Sequence, residues 1–178
     1  MQGIFQKENT DKALKYGIYR HLPTYEKIIR NLVSFSSDNK QKLVQDLLEV
    51  RFLLEPSIAA MAATRADEKD IKKITALCDE VETLLKNHED HTQKDIDFHT
   101  AIALSSKNVV VPRLIPVINS SIPLFVETTG GILRRETIES HREIADAIAC
   151  RDPLRAQDAM YLHLVYNRKW ICSLSQKQ

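Results

Sequence analysis

Asp95 and His99 stand four residues apart in Asp95-Ile96-Asp97-Phe98-His99, and His141 and His163 follow at long intervals. One turn of helix puts residues i and i+4 on the same face, so a carboxylate and an imidazole at that spacing can share a cation. His141 and His163 each interrupt an apolar stripe. Ile138, Ile144, Ala145 and Ile148 flank the first, and Ala156, Ala159, Met160, Asn167 and Trp170 flank the second. Burying an aspartate is costly unless it is paired or bound to a metal. One divalent cation held by all four groups answers that cost and makes a closed or nearly closed site. A lone histidine on an apolar face is more often a hydrogen-bonded core residue, but three of them with an i, i+4 aspartate favour a metal. His88, Glu89, Asp90 and His91 read as a solvated polar stretch. Asp97 points about 200° around the helix from Asp95, outside the site.

Arg51 falls on the stripe formed by Leu47, Leu54 and Ile58. A permanent positive charge facing inward needs an acidic partner or an anionic ligand, which leaves an internal Arg51–Glu55 pair or a bound carboxylate. Arg134, two helical turns before His141, and Asn108, just past a helix end, are further anion-binding candidates, although Asn108 can equally cap that end. No catalytic residue stands out, because Glu136 and Glu139 lie on other faces of the helix that carries His141.

The elements that must position these groups are helices. The chain has four glycines, shows no sustained period-two alternation, and spaces its apolar residues by three and four. Helices are expected over 11–20, 24–34, 40–64, 67–87, 90–106, 109–128, 133–150 and 153–174. Asp67 is a candidate N-cap, Gly130-Gly131 a break, and Asp152-Pro153 an N-cap followed by a proline in the first turn. Pro112, Pro116 and Pro123 should kink or divide the 109–128 segment.

A chain of 178 residues suits one substantial domain, and 43% hydrophobic with 28% charged residues is a globular balance. No apolar run approaches the roughly 20 residues that span a bilayer. A formal net charge of +1 gives no general attraction to nucleic acid. Cys78, Cys150 and Cys172 lack metal-site spacing and read as reduced thiols filling the core of a cytoplasmic protein.

From about Leu43 to Leu164 the chain resembles the C-terminal effector-binding (FCD) domain of the FadR subfamily of GntR-type bacterial transcription regulators. The resemblance rests on Asp46-Leu47-Leu48-Glu49-Val50-Arg51 with Leu54-Glu55 and Ala59-Ala60-Met61-Ala62-Ala63. It continues in Asp95-x-x-Phe98-His99 with Ile102 and Asn108, and in His141-Arg142-x-Ile144 with Ala147-Ile148, Asp152, Ala156, Met160 and His163-Leu164. It implies an all-α fold, an antiparallel bundle of six to seven helices, holding a divalent metal (zinc first, nickel or manganese otherwise) on Asp95, His99, His141 and His163. It also implies a small organic acid beside the metal, with Arg51 on its carboxylate. Residues 41–178 are expected to form that bundle, and residues 1–40 a remnant of wing and linker with N-terminal helices, since Gly3-Ile4-Phe5 resembles the last turn of a wing. DNA contact would then run through a winged helix-turn-helix that this chain lacks, and the regulator would work as a homodimer. The competing reading is a metal-dependent hydrolase or lyase on the same bundle; a plain helical scaffold leaves the inward Asp95 and Arg51 unexplained.

Overall fold

The computed structural model describes residues 40–175, which form six α-helices and one short 3-10 turn. They are α1 (Lys40–Arg65), α2 (Glu68–Lys86), α3 (Thr92–Ser105), the 3-10 turn Val111–Arg113, α4 (Ile115–Thr129), α5 (Arg134–Ala149) and α6 (Pro153–Ser175). No strand occurs among the described residues. Short connections return the chain on itself, giving the expected all-helical antiparallel bundle. The helices expected over 11–20 and 24–34 lie outside the described residues, as does the assignment of residues 1–40 apart from Lys40, which opens α1.

Local chemistry sets the helix ends. Asp67 accepts hydrogen bonds from the backbone of Lys69 and Asp70, and the Asp70 carboxylate accepts from the Asp67 N–H, closing a capping box at the start of α2. Asp152 accepts from the Arg155 N–H ahead of Pro153, the first residue of α6. Gly130, at φ 55°, ends α4 in a left-handed conformation that a side chain would strain.

The segment expected to be helical over 109–128 is divided. Val109 and Val110 are exposed and non-helical, Pro112 sits in the 3-10 turn, and α4 starts only at Ile115 with Pro116 in its first turn. A proline in the first turn forfeits no intrahelical bond, so α4 begins where Pro116 is tolerated. Pro56 and Pro123 lie inside α1 and α4 without ending them. Only Cys78 is core filler. Cys150 and Cys172 are exposed, Cys150 capping the end of α5 and Cys172 lying in the last turns of α6.

The main core joins Ile58, Ala62 and Ala63 of α1 to Phe98 and Ile102 of α3, Ile122 of α4, Ile144 and Ile148 of α5, and Met160 of α6. Because α1, α3, α5 and α6 all contribute to this core, any polar group on their inward faces is brought into one small volume. Ile144, fully buried one turn after His141, tests the packing apart from the site. Ile144→Val is expected to cost about 1 kcal/mol in urea unfolding, with metal content unchanged.

Candidate metal centre

The inward faces of α3, α5 and α6 bring His99, His141 and His163 together. Each can offer a ring nitrogen such that the three ligand atoms lie within 4.8 Å of one another, and all three side chains are buried. Asp95, one turn before His99 on α3, places Oδ1 3.4 Å from His141 Nε2 and 3.7 Å from His99 Nε2. The Phe98 ring stacks on His141, with centroids 4.5 Å apart, and closes the cluster on one side.

The donor atoms have little else to do. Asp95 Oδ1 and both ring nitrogens of His141 are buried without a hydrogen-bond partner. Orphaned buried polar atoms are uncommon in folded proteins and call for an explanation such as an ion. Burial first, then the neighbouring His99, Arg51 and His91, hold His141 well below the usual imidazole range. His163 is lowered in the same direction by burial and then by His141, His99 and Arg51. Both rings are therefore neutral at pH 7, the form that ligates a cation.

Two of the rings have an outer partner. Ser140 Oγ lies 3.0 Å from His163 Nδ1 and 3.3 Å from the Thr137 carbonyl. With the hydroxyl proton on Thr137, Ser140 accepts from His163 Nδ1–H and leaves Nε2 with its lone pair free. On His99, Glu55 Oε2 stands 2.6 Å from Nδ1. This contact is close but lies off the line of the ring N–H, so Nδ1 is without a well-formed hydrogen bond. Glu55 in turn accepts from Arg51 Nε and, at 3.4 Å, from Arg51 Nη2. Burial raises the Glu55 carboxyl, but Arg51 and His99 outweigh that and hold it well below the ordinary carboxylate range.

Of the two partners open to Arg51 in the sequence, the structure contains the internal one. The Arg51–Glu55 pair is 3% exposed on both sides, and the guanidinium lies over the Phe125 ring. Arg51 also lines a recess beside the histidines, of about 30 Å³, shared with His91, Asp95, Thr129, Thr137, His163 and Asn167. Space of that size holds about one water molecule.

Two anion-binding candidates are not brought to this recess. Asn108 turns its side-chain oxygen onto the backbone N–H groups of Val110, at 2.9 Å, and Val111, which makes it a local cap. Arg134 lies about 10 Å along the helix axis from His141. It lines a surface groove with Gly131, Ile132, Arg135, Ile138 and Glu139. His91 is a correction in the opposite direction: it is half-buried at the mouth of the recess, while His88, Glu89 and Asp90 are exposed as expected. Thr129 and Thr137 line the recess without having been singled out in the sequence, which offered Glu55 only as a partner of Arg51 and Asn167 only as a neighbour of His163 on its stripe. Asp97 is outside it, bonded to Gln93.

An all-helical bundle with a buried Asp-His-His-His cluster and an arginine beside it is the architecture expected of an FCD domain. Residues 46–166 match the FCD domain family, and the chain belongs to it. Its relatives include an HTH-type transcriptional regulator of Bacillus subtilis, YcbG, 31% identical over 77% of this chain and 56% of that protein. The galactonate operon transcriptional repressor of Escherichia coli is 31% identical over 69% of this chain and 55% of its own length. Among solved structures, a GntR protein of Streptococcus agalactiae superposes with a TM-score of 0.65 at 32% identity, covering 75% of this chain and 61% of that one. The chain thus spans about half the length of the curated relatives it matches. No helix among the described residues is long and apolar enough to cross a membrane.

Proposed function

We propose that this bundle is the ligand-sensing part of a GntR-type transcription regulator, binding one divalent metal and, beside it, a small organic acid. Asp95, His99, His141 and His163 would hold the metal, with zinc the first choice and nickel or manganese the others. The observation that carries the reading is the set of buried donor atoms without partners on Asp95 and His141, facing two further buried histidines. With His141 and His163 neutral, the formal charges of Arg51, Glu55 and Asp95 leave a net negative site, which a divalent cation turns net positive. An incoming carboxylate would neutralise that remainder, and Arg51 lines the recess where it would lie.

The size of the recess supports a small acid and a moving site. Ligand pockets for larger molecules run to about 300 Å³ or more, ten times the space beside the histidines. An acid larger than the recess would enter as it widens, so that bound and free states would differ in shape. A ligand that favours one of two shapes shifts the balance between them, which is what a sensor requires. In the complete regulator that shift would alter the spacing of paired DNA-binding heads in a homodimer. One relative is named for the galactonate operon; galactonate is a polyhydroxylated carboxylate, and hydroxy acids are therefore the first class to screen. The regulators among the relatives favour sensing over the hydrolase or lyase reading.

Elemental analysis of the purified chain is expected to find about one divalent metal per chain. A thermal-shift screen of mono-, di- and hydroxycarboxylates on the metal-loaded protein should return an acid that raises the melting temperature by mass action. A protein that arrives metal-free, and that zinc, nickel and manganese all fail to stabilise, would end this reading.

A further inference from the structure

The metal reading leaves one buried group without a task. Glu55 is on α1, an element that supplies none of the four proposed ligands, yet its carboxylate lies between Arg51 and His99. It is 3% exposed, and keeping an ion pair so deep is costly where apolar side chains of similar volume would pack as well. Oε1 takes the Arg51 Nε–H, and Oε2, which also takes the Arg51 Nη2–H at 3.4 Å, stands 2.6 Å from His99 Nδ1. The opposite nitrogen of the same ring, Nε2, lies 3.7 Å from Asp95 Oδ1 and 3.5 Å from Arg51 Nη2, whose N–H can only donate to it, so the lone pair is on Nε2.

We infer that Glu55 is a positioning residue for the metal centre, holding the proton of His99 on Nδ1 and thereby presenting Nε2 to the cation, with Arg51 fixing the carboxylate in turn. This rests on the metal reading given above. A ligating imidazole commonly donates its far N–H to a carboxylate, which fixes the tautomer and ring orientation and makes the ligating nitrogen more basic. The Nδ1–H is off the line to Oε2 in the present geometry, and rotation of the ring about Cβ–Cγ is the movement that aligns it. His163 has the corresponding arrangement with Ser140 as acceptor. His141 has neither, both its ring nitrogens being without partners. The inference therefore ranks the three rings: His99 carries a charged partner, His163 a neutral one and His141 none.

The test must separate positioning from packing, because removing Glu55 alone strands a buried guanidinium and can unfold the protein. The Arg51→Met/Glu55→Leu double variant removes both charges together and keeps the volume apolar. Arg51→Met/Glu55→Gln does the same but leaves an oxygen that can accept from Nδ1–H. Zinc affinity is measured by chelator competition, the metal-free melting temperature by calorimetry, and the protonated nitrogen of His99 by ring ¹⁵N NMR of the zinc-loaded protein.

The expected result is a zinc Kd raised about 10–100-fold in the leucine double variant, with a metal-free melting temperature close to the parent's. The glutamine double variant should lie between the two. In the parent, His99 should carry its proton on Nδ1. Loss of Arg51 removes a positive charge near the cation and its contact with His99 Nε2, which by itself would tighten zinc binding, and the difference between the leucine and glutamine variants, both uncharged, reads positioning apart from charge. Zinc binding the parent and the leucine double variant within twofold would overturn the role of Glu55 alone. Failure of zinc to bind the parent would overturn the metal reading and this inference with it.

Discussion

Removing the metal with a chelator is expected to lower the melting temperature of the full chain by about 8–16 °C. A ligand present at 1,000 times its Kd stabilises the folded state by about 4 kcal/mol, and for a chain of this size each kcal/mol moves the transition by about 2–4 °C. His141→Ala should abolish the difference between chelator and added zinc. His141 is the ring of choice because both its nitrogens are buried without partners, so its polar atoms have no other role in the described structure. The substitution also opens a cavity beneath the Phe98 ring, which lowers stability in either condition. Comparing each protein with and without metal cancels that loss. A parent that melts at the same temperature in chelator and in zinc would contradict the proposal, as would a His141→Ala variant that still responds to chelator.

Much of this centre was legible in the sequence, for reasons that also set the limit. Asp95 and His99 are one turn apart on one helix, and His141 and His163 interrupt stripes that periodicity alone assigns to the interior. The contact of Glu55 with His99 spans 44 positions and depends on how α1 packs against α3, which no local pattern contains. Sequence offered Glu55 only as a partner for Arg51, because i, i+4 pairing is local. Arg134 is the converse case: seven residues return a helix almost to the same face, with a rise of about 10 Å along the axis, and the side chain lines a groove with Gly131, Ile132 and Ile138. Asn108 combines both problems, since a residue that follows a helix can bond to a ligand or to its own backbone with the same atoms. Its short-range contacts to Val110 and Val111 are the ones the structure contains. His91 was assigned to solvent from its polar neighbours, and only the packing around Thr129 and Thr137 brings it to the recess.

Acid is expected to unfold the metal-free chain over a window that begins near pH 6.5. Burial is the first cause that depresses His141, followed by its neighbours His99, Arg51 and His91, with Glu55 opposing. For His163 burial again comes first, then His141, His99 and Arg51, with Asp95 opposing. Both rings are held well below the ordinary imidazole value of 6.5, so below that pH the unfolded chain binds more protons than the folded one. Their contribution is present above pH 6.5 and is lost as pH falls. Each ring can contribute a slope of up to about 1.4 kcal/mol per pH unit, and the pair up to about 3 kcal/mol. Glu55 adds a second, lower window, because its depressed carboxyl loses its contribution only below the ordinary carboxylate range near 4.5. Urea unfolding in chelator between pH 8 and pH 5 should show the first window in the parent. The His141→Gln/His163→Gln variant, which has no proton to gain at either position, should show a much flatter profile there. Equal slopes in the two proteins would assign the acid sensitivity to other groups. Zinc-loaded parent should lose stability more steeply over the same range, because every proton that reaches a ligand nitrogen also competes with the metal.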